Sequence, residues 1–285
     1  MDSKKIVDAE KEFFDEAWLS FVPYEVKEVP LMGRAKGLIE IPGIKNLNDK
    51  KILICSCGSG VEATLAAKQG GKAFAFDISK IACINSNKMA IYNGVAIFTS
   101  VADFNRLPYR DGVFDVIYGC SILHHIDCAK VGKELKRVLK IGGRAFFREN
   151  SDRNPVLRFF RKLFFGKPGG YQKSKFWIFK RFGTSHEYPL TESEVDILAE
   201  YFDGNIKRSN EYFIFFQLLD YLVFRNDRMG RLLWWIDQVI GRVLPFFKKY
   251  SFSQEILLDF CSEKRPYKVI SRQKPGRKSV RKRVV

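Results

Sequence analysis

The chain is short of acid, of histidine and of long apolar runs. Against 49 Lys and Arg stand 32 Asp and Glu, a formal charge of +17 with a pI near 9.6. That excess predicts an anionic partner: nucleic acid, a membrane surface or an acidic substrate. No window of roughly 18 residues is both apolar and uncharged, which argues against a membrane-spanning helix. The N-terminus mixes Lys4 and Lys5 with Asp8, Glu10 and Glu12 and has no apolar core, so no signal peptide is predicted. The six cysteines (55, 57, 83, 120, 128, 261) and the three histidines (124, 125, 186) match no zinc-ligand spacing, and no metal site is predicted. Thiols scattered through apolar runs of a chain without an export signal read as reduced and buried, and the expected localisation is cytoplasmic. There is no internal repeat.

What the 285 residues do contain is core material, 46% hydrophobic and 14% aromatic, enough for one large domain or for a core domain with an elaborated cap. Phe13, Phe14, Ala17, Trp18 and Phe21 recur at helical spacing in an amphipathic N-terminal helix. After a segment broken by Pro23, Pro30 and Pro42, strands and helices alternate. Strands are predicted at 51–56, 72–77, 95–100, 113–119 and 144–148, with helices at 60–69, 79–92 and 129–140. That rhythm means a parallel sheet with crossover helices, an α/β Rossmann-like fold. Thr191 and Glu194 form a capping box opening a helix to Phe202. Two late strands are expected within 205–217, the second at Tyr212–Phe216. The expected organisation is a core over 1–217 with an inserted lid at 150–190, a helical aromatic extension over 218–262, and a basic, disordered tail over 263–285 that carries ten Lys and Arg from Lys264 on.

The first strand, Lys51-Ile52-Leu53-Ile54-Cys55, runs into Ser56-Cys57-Gly58-Ser59-Gly60 and at once into a helix. Gly58 and Gly60 lack the Cβ atoms that would hold a ligand off the loop, and free amides at the helix start favour an anionic group. Gly58-x-Gly60-x-x-Ala63 with Asp77 nineteen residues on also fits a dinucleotide site, so an NAD(P)-dependent oxidoreductase is an alternative. Asp77 ends the second strand, Ala102-Asp103 follow the third, and Leu107-Pro108-Tyr109 with Phe114-Asp115-Val116-Ile117 lead into the fourth. Ser121-Ile122-Leu123-His124-His125 follow that strand, and Glu134-x-x-Arg137-Val138-Leu139 with Gly142-Gly143 lead into the fifth.

These motifs in this order resemble the class I S-adenosylmethionine-dependent methyltransferases, in the group that includes the quinone-biosynthesis methyltransferases; the resemblance covers residues 51–149. It implies a seven-stranded sheet of order 3-2-1-4-5-7-6 with an antiparallel seventh strand, and S-adenosyl-L-methionine as cofactor. It implies that Cys57, Gly58, Ser59 and Gly60 hold the cofactor's methionine part, Asp77 and Ile78 its ribose, and Ala102 and Asp103 its adenine, with Gly119 to His124 beside the transferred methyl. Two positions depart: Ile54 stands where the family usually has an acid, and Ser56 where it has glycine. A non-catalytic cofactor-binding protein is therefore a further alternative. For Cys57, packing is the plain reading.

For a base, the candidates are His124, His125, His186 and Glu187. The plain alternative for the first two is a helix-start pair, one packed and one solvated; for the last two it is a loop anchor. The stretch 153–182 holds nine Lys and Arg and no acid, interleaved with eight Phe and Trp. Asn154 as N-cap and Pro155 at N1 open a helix with Leu157, Phe160, Leu163 and Phe164 near one face, Arg158 and Lys162 toward the other. That composition fits a lid at an anionic membrane interface. It also fits RNA, where Arg and aromatics meet phosphates and bases, or a lid packed on the core. A hydrophobic small-molecule or lipid-linked acceptor is the leading expectation, with peripheral membrane association; an RNA methyltransferase is the alternative.

Overall fold

In the computed structural model the described residues are 3–26, 41–165, 175–176, 179–180, 189–210, 227–251 and 253–261. Helix α1 spans Ser3–Ala17. Then come β1 (Lys51–Cys55), α2 (Val61–Lys68), β2 (Lys72–Asp77), α3 (Lys80–Tyr92), β3 (Phe98–Val101) and β4 (Phe114–Cys120). A 3-10 turn at Leu123–His125 leads to α4 (Cys128–Val138), β5 (Leu139–Asn150) and α5 (Pro155–Phe165). The short pair β6 (Lys175–Phe176) and β7 (Phe179–Lys180) precedes α6 (Glu192–Tyr201), β8 (Ile206–Asn210), α7 (Asp227–Val243), a 3-10 segment Pro245–Tyr250 and β9 (Ser253–Asp259).

The main sheet has seven strands in the order β3-β2-β1-β4-β5-β9-β8, the expected 3-2-1-4-5-7-6. The first five run parallel, while β9 is antiparallel to both β5 and β8. A mostly parallel sheet is covered on both faces, and alternate residues of each strand divide accordingly. Leu53, Ile117, Phe147 and Ile256 pack with α4 and α6 through Val131, Leu135, Val195 and Leu198. Ile52, Ile54, Val116, Tyr118 and Phe146 pack with α2 and α3 through Leu65, Ala66 and Met89. Asp115 is a clamp: one carboxylate oxygen accepts from the Lys51 amide and the other from Lys140, tying β1 to the start of β5.

The late strands correct one expectation. Tyr212–Phe216 lies outside the described residues, and the antiparallel position is filled by Ser253–Asp259, in a stretch expected to be helical. Glu255, Leu257 and Leu258 are good helix formers. Pairing on both sides overrides that preference by burying Ile256, Leu257 and Leu258 in the sheet. Gly142, at φ +83, sits in the irregular start of β5 and donates its amide to Phe260; it is not the cap of α4, which ends in extended backbone at Leu139.

Asn154 caps α5 by accepting from the Val156 and Leu157 amides, with Pro155 behind it, as its sequence predicts. The capping box of α6 is present in full. The expected face of α5 is displaced. Leu157 is half-buried, and the apolar side chains in solvent are Val156, Phe159, Phe160 and Leu163. Much of the expected lid (166–174, 177–178, 181–188) and all of the tail from 263 lie outside the described residues. Among the described residues no helix is long and apolar enough to cross a membrane.

Candidate active site

The C-terminal ends of β1, β2, β3 and β4 lie side by side: Cys55 is in register with Phe76 and Gly119, and Asp77 with Val101. In such sheets ligands bind at this edge. Every cofactor residue expected from the sequence, from Cys57 to Gly119, stands on it or in the loops leaving it.

The loop after β1 is built around Asp77. The Asp77 Oδ2 accepts the Gly58 amide at 3.1 Å and the Ser56 hydroxyl at 3.4 Å, and Oδ1 accepts the Ser79 amide at 2.9 Å. Burial pushes the Asp77 carboxyl up, while these donors pull it down; burial wins. These donors occupy most of a carboxylate's roughly four acceptor positions, and the Ile78 amide also acts on it. Asp77 thus shapes the loop from the end of β2, the place where the resemblance expects the ribose. Ser56 has φ +57, the left-handed region that glycine occupies at no cost. The family's usual glycine is explained, and here the hydroxyl's bond to Asp77 offsets the strain. The other departure, Ile54, is buried among Ile52, Val116 and Tyr118 on the α2–α3 face, where a carboxylate would lack solvent.

The two glycines divide the work. A Cβ on Gly60 (φ +84) would stand 2.5 Å from the Ser86 Cα, so this glycine serves the approach of α2 to α3. A Cβ on Gly58 would point at the Trp18 indole, 3.1 Å away. Gly119 is likewise a packing glycine, with Phe147 and Ile122 where its Cβ would be. The Ser59 and Val61 amides donate to nothing among the described residues, which suits a cofactor carboxylate at the start of α2. Cys57 is buried, its thiol pushed up by the hydrogen bond with Cys83 and by burial, as expected of a packed side chain. Asp103 is exposed and accepts from the Asn105 amide and side chain through Oδ1. Ile78 and Ala102 are half-buried, and the Ala102 amide donates to the Asp77 carbonyl.

After β4, Ser121 is also left-handed (φ +54). Sequence reasoning missed what holds this turn, which is Glu149 at the end of β5. Its Oε1 accepts the Ile122 and Leu123 amides at 2.7 and 2.8 Å, and its Oε2 lies 2.7 Å from His124 Nδ1. Glu149 is 1% exposed. The available signal was a lone acid ending an apolar strand, which burial requires to be partnered. His125 is paired with Glu10 of α1 at 3.3 Å, and its ring meets Phe14 edge-on. Neither histidine is solvated, contrary to the plain expectation for the pair, because α1 covers His125, whose ring lies against that of His124. Helix α1 reaches further: Asp15 accepts from the Ser79 hydroxyl, and the Trp18 carbonyl accepts from Asn85. His186 and Glu187 lie outside the described residues. Among the described residues no cluster of three or more His, Cys, Asp or Glu could hold a metal.

Residues 53–147 match the family described as a methyltransferase domain. Sarcosine/dimethylglycine N-methyltransferase of Halorhodospira halochloris is 36% identical over 103 residues, 35% of this chain and 37% of that protein. The chain thus matches little more than a third of that relative's length. Geranyl diphosphate C-methyltransferase from Streptomyces coelicolor A3(2), solved with Mg2+, geranyl diphosphate and S-adenosyl-L-homocysteine, superposes with a TM-score of 0.53 at 10% identity, covering 90% of this chain and 98% of that one. Phospholethanolamine N-methyltransferase 2 of Haemonchus contortus gives 0.52 at 12%, covering 88% and 58%. With the seven-stranded order and the loop after β1, these matches make residues 53–147 a class I S-adenosylmethionine-dependent methyltransferase domain.

Proposed function

We propose that the chain transfers a methyl group from S-adenosylmethionine to a hydrophobic small-molecule or lipid-linked acceptor, with His124 as the general base. The observation that carries this reading is the buried pair of Glu149 and His124 on the cofactor edge of the sheet. When bound, S-adenosylmethionine supplies an electrophilic methyl group on a sulfonium. The residues fit it: free amides at Ser59 and Val61, and the Asp77 carboxylate at the end of β2. Glu149 takes the proton side of Nδ1, which leaves the Nε2 lone pair as the atom able to accept a proton from an acceptor hydroxyl or amine. The same carboxylate fixes the amides of Ile122 and Leu123, so the turn and the imidazole are oriented together. Helix α1 excludes water from this end through Phe14, Trp18 and the Glu10–His125 contact. His125 is the second candidate for the base; His186 and Glu187 retain a substrate-orienting role in this reading.

The apolar acceptor is supported by the aromatic side chains that α5 and α7 present beyond the same end of the sheet. An anionic membrane surface as the place where the acceptor is met follows from their basic flanks. The partial relative named for sarcosine and dimethylglycine does not decide the acceptor, since the family match covers the cofactor half of the chain.

The test is transfer of labelled methyl from S-adenosylmethionine into an organic extract of cells. Label in the lipid fraction, abolished by Asp77→Ala and cut by about 100-fold in His124→Ala, is the expected result. Label found only in RNA or protein overturns the acceptor. Calorimetric binding of NADH without binding of S-adenosylhomocysteine overturns the methyltransferase reading, and failure to bind either marks a protein that has lost its cofactor.

A further inference from the structure

Helix α5 is turned inside out. Val156, Phe159, Phe160 and Leu163 recur at i, i+3, i+4 and i+7, the spacing of a single stripe that a helix normally buries. Here the stripe faces solvent, with Phe159 62% and Leu163 60% exposed. The helix is held instead by its other side. Arg161 donates to the Ser151 carbonyl, Leu157 is half-buried, and Asn154 at the cap donates to the Tyr250 carbonyl. Arg158 and Lys162, both exposed, flank the stripe.

A second element repeats the arrangement. In α7, Leu233 and Asp237 face inward, while Leu232, Trp235 (58% exposed) and Val243 (69%) lie along the outer side, continued by Leu244 and Phe246. Arg228 and Arg242 are exposed on that side, and the one acid between them, Asp237, is buried. The two elements arise from the same place. The Asn154–Tyr250 bond joins the start of α5 to the end of the 3-10 segment that follows α7, and Asn150 pairs with Ser253 directly beneath.

We propose that α5 and the α7–Phe246 segment dock the protein on an anionic lipid bilayer. Phe159, Leu163, Trp235 and Val243 enter the headgroup boundary, and Arg158, Lys162 and Arg242 meet lipid phosphates. Exposed aromatic and aliphatic stripes edged by Lys and Arg are what the interface of an anionic membrane accepts, because it offers apolar depth and negative charge together. A second copy of this chain fits less well. A two-fold contact would bring each stripe against its own image and set Arg158 and Lys162 beside like charges. The inference rests on the lipid-linked acceptor reading and extends it by naming the residues that meet the membrane. Binding is read without turnover, so vesicle binding with no label transfer to lipid leaves the docking standing and the acceptor refuted.

The full chain is sedimented with phosphatidylcholine vesicles with and without phosphatidylserine. It is expected to co-sediment with the anionic vesicles. Phe159→Ser with Leu163→Ser is expected to cut that partitioning by about tenfold or more at unchanged net charge. Arg158→Glu with Lys162→Glu should weaken binding to anionic vesicles by a similar factor and leave neutral vesicles unaffected. Unchanged binding of S-adenosylhomocysteine by both variants establishes that they fold. Absence of vesicle binding, or binding indifferent to the Phe159 and Leu163 changes, overturns the proposal. So does a concentration-dependent dimer that these changes dissolve, or a nucleic acid that competes for the same residues.

Discussion

The indole of Trp18 stands 3.1 Å from where a Cβ on Gly58 would be, so the residue that follows the N-terminal helix roofs the cofactor loop in close contact with this glycine. Gly58→Ala must push the roof outward and also hold alanine at φ +48, a left-handed conformation costing about 1–2 kcal/mol. Affinity for S-adenosylhomocysteine, read by calorimetry, is expected to fall roughly tenfold in Gly58→Ala and in Trp18→Ala. Because the two groups touch, the double variant should be little worse than either single one. Additive losses would mean the roof and the loop act separately.

Ser56 carries left-handed strain and one hydrogen bond to Asp77. Ser56→Gly relieves the first and loses the second, two opposed effects of about 1 kcal/mol each, so its thermal midpoint should stay close to that of the parent. Ser56→Ala keeps the strain and loses the bond, and its midpoint should drop by about 2–4 °C. Equal midpoints for the two variants would show that the left-handed backbone costs nothing, and an alanine variant as stable as the parent that the hydroxyl contributes nothing.

At Gly60 the obstruction is backbone. Gly60→Ala would meet the Ser86 Cα and carbonyl oxygen at 2.5 and 2.9 Å, so α2 and α3 must separate. Denaturant unfolding should show a loss of about 2–4 kcal/mol. Adding Ser86→Ala should not restore it, since the Cα and carbonyl remain; recovery by that second change would point to the side-chain oxygen instead.

Asp237 is buried with no hydrogen bond to either carboxylate oxygen among the described residues, and burial pushes its carboxyl up to about 7. In the unfolded chain it titrates near 3.9. The folded state therefore favours the protonated form. Its contribution to stability is complete below about pH 4 and is lost as pH rises through about 7. Asp237→Asn should match the parent at pH 4 and exceed it at pH 8 by roughly 2 kcal/mol. Thermal unfolding across that range checks the sign, and a parent that gains on the variant as pH rises would reverse it.

The alternation of strands and helices was legible because β1 through β5 obey local rules: β-branched runs, glycine turns, and a helix after each of the first four strands except β3; the order of the sheet was implied by the resemblance their motifs carry. The loop was legible for the same reason. Glu149 was not, since its partners lie 25 to 27 residues upstream and meet it only when β4 and β5 pair. The strained backbone at Ser56 was hidden because a side chain's identity does not state its φ. Strand β9 was misread as helix because leucine and glutamate follow their intrinsic preference until two neighbouring strands compete for their amides. The role of α1 was invisible for a simpler reason. Amphipathic spacing says that Phe14 and Trp18 will be covered and says nothing of what they cover.

Strands β8 and β9 are partners, with Asn210 opposite Gln254, although 43 residues separate them. In effect they are a hairpin whose turn has swollen to hold α7 and the 3-10 segment. Both ends of that excursion are fastened to the sheet within one residue pair of each other. Such a cassette can be lengthened, shortened or exchanged while the cofactor half keeps its register. A lineage with this arrangement is free to change what it methylates, or where it sits while doing so, without rebuilding the machinery that carries the methyl group.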